Sequence, residues 1–138
     1  MKNIFEKIVK LSDERIEYFL DAIKKVDSKF KYFFEWHKSY NRAIFKEMEE
    51  VWEEVRKDNS VYLEDELWDV FWCYCCYLQS LQKEWYIESV EKVFERSFKK
   101  FNWRIEYMKK NPYEWAWKEI KDIQKKDRKK EHEKKYWK

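Results

Sequence analysis

Glycine is absent from the chain, and proline occurs once among 138 residues. Those two residues supply most tight turns, so their scarcity argues against a fold of many short strands. No Gly-rich phosphate loop can form either. Long apolar runs are also missing. No stretch of about 18 uncharged apolar residues occurs, so no membrane span is expected. Residues 1–20 carry charges throughout and lack the apolar centre of a signal peptide. The three cysteines, Cys73, Cys75 and Cys76, lie too close together to staple a fold, and a reduced, cytoplasmic setting is expected. The formal net charge of +3 is too small to argue for a nucleic-acid partner. Residues 118–138 alone carry ten Lys/Arg against five Asp/Glu, which leaves residues 1–117 net acidic.

What is abundant is charge, 43% of residues, together with aromatic side chains, 21%. A disordered chain lacks such aromatic content. The combination predicts long helices, aromatic on one face and charged on the other. The expected fold is all-α, an antiparallel bundle of about five helices. Residues 1–117 form the bundle, and 118–138 a charged basic helix or tail whose part after Ile123 projects into water.

The first helix spans residues 3–27, where Ile4, Ile8, Leu11, Ile16, Phe19 and Ile23 recur at helical steps. Asp27-Ser28 reads as a stop and restart. Residues 29–57 read as a second helical region, with 30–36 as a loop or a separate short helix. Asp58-Asn59-Ser60 is the clearest turn signal. The third helix, 61–83, is apolar nearly all round from Leu67 to Leu81. Such a helix needs neighbours on every side, so a second subunit is expected against it, in a twofold homodimer. A fourth helix, 87–110, ends at Asn111-Pro112, because the residue before proline avoids helical geometry. A fifth occupies 113–135.

The informative feature is acidic. Glu50 and Glu53 stand three apart before the turn, and Glu66 and Asp69 three apart after it. Each pair places two carboxylates on one helix face. Antiparallel helices joined by a short turn bring the pairs together. Each pair alone reads most simply as a solvated face. Glu66 and Asp69, however, begin the most apolar helix of the chain, where a carboxylate is costly without a partner. Four converging carboxylates require cations, and hard oxygen ligands select Mg²⁺, Mn²⁺ or Ca²⁺. Mg²⁺ also binds phosphate oxygens, so the pattern suits a metal–triphosphate with an activated water.

The order Glu49-Glu50-Val51-Trp52-Glu53, turn, Glu66-Leu67-Trp68-Asp69 resembles the MazG family of all-α nucleotide pyrophosphohydrolases, over roughly residues 34–110. Trp68 stands where many members carry Gly, a departure that bears on substrate more than on chemistry. The resemblance implies a dimeric or tetrameric bundle in which four acids, here Glu50, Glu53, Glu66 and Asp69, hold Mg²⁺. It implies cleavage of a nucleoside or deoxynucleoside triphosphate between the α and β phosphates, with release of a monophosphate and pyrophosphate. Glu53 is also the candidate for orienting or deprotonating water.

The fourth helix carries Lys92, Arg96, Lys100 and Arg104 at four-residue steps, along one stripe. The family's Lys-Phe-x-x-Arg pattern is matched by Lys100 to Arg104, while Arg96 fits the spacing from Asp69 better. Arg96, Lys100 and Arg104 are therefore the candidates for binding phosphate. Trp36 is the candidate for stacking on the base, with Trp52, Trp68 or Trp72 beside it. Against each stands a plainer reading, a solvated basic face or core packing. The cysteines read as buried apolar residues, since no second Cys pair or His pair completes a zinc site. The rival to an enzyme is a non-catalytic helical module that binds a protein or nucleic acid through its aromatic surface and basic tail.

Overall fold

The computed structural model describes residues 2–25 and 35–137. Among these residues the chain is all-helical, with five helices and no strand. They are α1 (Lys2–Lys25), α2 (His37–Glu54), α3 (Ser60–Lys83), α4 (Val90–Lys110) and α5 (Ala116–Tyr136). Asp27-Ser28 and most of the segment 30–36 lie outside the described residues. The helices group into two compact units, residues 1–90 and 91–138.

In the first unit α3 packs against both α1 and α2. Ile16 of α1 and Cys76 of α3 are fully buried, with Phe19, Leu20, Trp36, Tyr40 and Trp72 packed around them. A polar contact fixes α1 on α3. The Gln79 amide donates to the Val9 carbonyl and to Ser12 Oγ, both at 3.2 Å. Ser12 itself donates to the Val9 carbonyl at 2.6 Å, so the Ser12 hydroxyl and the Gln79 amide N–H both have partners at this buried contact. At the surface Lys83 pairs with Asp13 and Glu17.

A chain without glycine must place other residues where the backbone turns left-handed. Asp58 does so at φ 55° in the α2–α3 turn, where a short polar side chain is tolerated. The Asn59 amide closes that turn on the Glu54 carbonyl at 2.9 Å. Trp85 does so at φ 68° after α3. The Tyr86 N–H there reaches back to the Leu81 carbonyl at 2.9 Å, and the Trp85 N–H to that of Gln82 at 3.1 Å. This is a Schellman ending with tryptophan in the place glycine normally takes. The Gln82 side chain then accepts the Val90 N–H at 2.8 Å and starts α4.

The second half of α3 is enclosed, with Cys75, Cys76, Leu78, Gln79 and Ser80 buried. Its first half is not: Leu67 and Trp68 remain about half exposed. In the second unit, Arg96 with Glu131 and Arg104 with Gln124 pair residues in reverse order, so α4 and α5 are antiparallel.

Candidate metal centre and active site

Residues facing each other across an antiparallel hairpin are equidistant from its midpoint. Asp58 is that midpoint here. Tyr40 precedes it by eighteen residues and Cys76 follows it by eighteen, and their side chains hydrogen-bond. By the same count Glu50 faces Glu66, eight residues either side, and Glu47 faces Asp69, eleven either side. Glu53 falls opposite Leu63.

The side chains obey this register. One carboxylate oxygen from each of Glu47, Glu66 and Asp69 lies within 4.8 Å of the other two. Glu50 completes the group, within side-chain hydrogen-bonding reach of Glu47 and of Glu66. Glu53 is not brought to it. That residue is exposed and lines a shallow depression with Phe45, Met48, Glu49, Val51 and Trp52. Glu47 is the member that the sequence reasoning missed. The signal was present, because Glu47 and Glu50 are also three apart, and the count from Asp58 separates the two overlapping pairs.

The electrostatics are those of crowded acid. Glu47 is pushed up to about 7, first by burial, then by its hydrogen bond to Glu50 and by the charges of Glu50, Asp69 and Glu66. Glu66 is raised by burial and by Glu50 and Asp69, and Asp69 by burial, Asp65 and Glu50. Cys73, one turn beyond Asp69, is pushed up to about 11 by burial and by the charges of Glu47, Asp69 and Glu50. It stays a neutral thiol beside a hard-oxygen site. No Lys or Arg ion pair with these four acids occurs among the described residues.

The donor set fits a hard divalent cation. Glu47 Oε2 and Glu66 Oε2 are buried without a hydrogen-bond partner among the described residues. A buried, unsatisfied carboxylate oxygen is costly, and an all-oxygen set of half-buried carboxylates is what Mg²⁺ or Mn²⁺ takes.

The family model described as the MazG nucleotide pyrophosphohydrolase domain matches residues 35–108. The chain belongs to the MazG family. The matched MazG segment contains α2, α3 and most of α4, and with them all four clustered carboxylates. The segment leaves out α1 and α5. No curated protein and no solved structure gives a match.

The remaining predicted residues of the MazG segment are placed as follows. Trp36 packs against the Ile16–Cys76 core, and so does Trp72. Trp52 and Trp68 are exposed. Arg96 makes a two-pronged contact with Glu131, at 3.0 and 2.6 Å. Arg104 is buried and donates from Nε to Gln124 at 2.8 Å. Lys100 is half-buried, with its ammonium 5.2 Å from the Phe101 ring. His37 follows Trp36 and is held by Glu84, with Nδ1 2.9 Å from both carboxylate oxygens.

Proposed function

We propose that this MazG-domain protein is a Mg²⁺-dependent nucleoside triphosphate pyrophosphohydrolase, with Mn²⁺ as an alternative ion. It cleaves the bond between the α and β phosphates of a nucleoside or deoxynucleoside triphosphate. The observation that carries the reading is the meeting of Glu47, Glu50, Glu66 and Asp69 from two antiparallel helices, with two buried oxygens left unsatisfied.

These four residues would hold the metal. A divalent ion bound there supplies Lewis acidity toward phosphate oxygens and makes water a better nucleophile near neutral pH. The carboxylates orient the attacking water. Water oxygen bonds to the α phosphorus, the bond from that phosphorus to the bridging oxygen breaks, and pyrophosphate leaves. Arg96, Lys100 and Arg104 are the candidates for neutralising phosphate charge.

The protein acts as a homodimer or homotetramer in this reading. Phe45, Met48 and Trp52 on α2, with Leu67 and Trp68 on α3, leave large apolar side chains open to water, and Trp52 is 79% exposed. Phe45, Met48 and Trp52 line one depression on α2, and a contiguous apolar patch marks an interface. Its three free thiols suit a reducing, cytoplasmic compartment.

The test is pyrophosphate release with Mg²⁺ across a panel of all common ribo- and deoxyribonucleoside triphosphates. Turnover of at least one, abolished by Glu50→Ala and by Glu66→Ala, is expected. Absence of turnover throughout the panel would overturn the proposal.

A further inference from the structure

Outside the matched segment, α5 is charged along most of its length, but Ala116, Ile120 and Gln124 are buried. Gln124 is the polar one, and its amide joins the two helices of the second unit. Gln124 Nε2 donates to the Lys100 carbonyl at 2.9 Å, and Gln124 Oε1 accepts from Arg104 Nε at 2.8 Å. The amide is thereby used at both ends, which fixes the orientation of the guanidinium.

Arg104 is only 5% exposed. Its guanidinium carbon lies 5.1 Å from the Trp117 ring and 5.3 Å from the Phe101 ring, within cation–π range of both. Nε donates to Gln124, while neither Nη has an acceptor among the described residues and neither is sealed from solvent. A buried arginine normally has its fork filled by a carboxylate. Here the surrounding charges have the same sign instead. Helical spacing puts Trp117, Lys121 and Arg128 on the edge of α5 that Gln124 holds against Lys100 and Arg104. The Lys100 ammonium is held below its ordinary pKa by burial, then by the charges of Arg104, Arg128 and Lys121. None of these four cations has an ion pair with an acid among the described residues.

We propose that the second unit carries a polyphosphate-binding site made by Lys100 and Arg104 of α4 together with Lys121 and Arg128 of α5, with Gln124 as the positioning residue. Like charges gathered around a locked, half-used arginine fork are stabilised by an anion, and a phosphate offers the paired oxygens that the fork takes. The site therefore draws half of its cations from a helix that lies beyond the family segment. The class of ligand rests on the pyrophosphohydrolase reading, whereas the site itself rests on the geometry of α4 and α5.

The test is titration of inorganic tripolyphosphate into the full chain, in metal-free buffer at low salt. Wild type binds. The double variant Lys121→Gln/Arg128→Gln, whose side chains are exposed, weakens binding by about tenfold. The double variant Lys126→Gln/Lys130→Gln removes the same charge from the far side of α5 and changes affinity by less than about twofold. No binding by wild type, or equal losses in the two doubles, overturns the site and leaves a solvated basic helix. Glu66→Gln retains tripolyphosphate binding even where hydrolysis is lost, so failure of the metal centre is distinguishable from failure of this site.

Discussion

Glu50 and Glu66 face each other across the α2–α3 hairpin, within hydrogen-bonding reach, each eight residues from Asp58. Two carboxylates at that distance repel each other, and a cation between them relieves the repulsion. Glu47 and Asp69, the next facing pair, add a second layer of the same repulsion.

Stability should therefore depend on pH in the direction opposite to that of a salt-bridged acid. Glu47 holds its proton to about 7 in the fold, against 4.5 as its ordinary value. The folded chain binds the extra proton, so stability is fullest below the ordinary value and is lost as pH rises towards 7. Glu66 and Asp69 shift the same way. In EDTA the melting temperature should fall between about pH 5 and about pH 8. Excess Mg²⁺ should restore it at the higher pH by taking the place of the proton. A melting temperature independent of pH and metal would contradict the crowding.

Trp85 stores backbone strain at φ 68° while its side chain is 91% exposed. A left-handed non-glycine residue costs about 1–2 kcal/mol, part of which glycine returns through its freer unfolded chain. Trp85→Gly should stabilise the protein by about 0.5–1 kcal/mol in urea unfolding. Destabilisation would show that the indole makes contacts that outweigh the strain.

Association through the apolar face of α2 predicts that Trp52→Glu lowers the oligomeric mass measured by light scattering and leaves helix content unchanged. An unchanged mass would place the interface elsewhere.

Much of this organisation is legible in the residues, and the misses have physical causes. Helix ends were marked by Asp58-Asn59-Ser60 and by Asn111-Pro112, because turn chemistry and proline act locally. The acids of both helices are legible as pairs three apart; on α2 the sequence offers Glu50 with Glu53, whereas the structure clusters Glu47 and Glu50 with Glu66 and Asp69. A pattern of acids three apart repeats along Glu47, Glu50 and Glu53, and choosing among them takes the geometry of the hairpin. Trp36 reads as a base platform from its distance to the acids, and its packing on Ile16 and Cys76 is a tertiary contact no local pattern announces. Arg104 was found as part of a basic stripe. Its buried partner Gln124 was not, because a lone glutamine among lysines looks like surface until the second helix is in place.

The most direct test is calorimetric titration of Mg²⁺ at about pH 8, without nucleotide, into wild type and single glutamine variants of α2 and α3. Wild type should bind. Glu47→Gln and Glu66→Gln should each weaken binding by at least about tenfold, while Glu53→Gln should stay within about twofold of wild type. Absence of binding to wild type, or a loss at Glu53 as large as that at Glu47, would contradict the four-carboxylate centre.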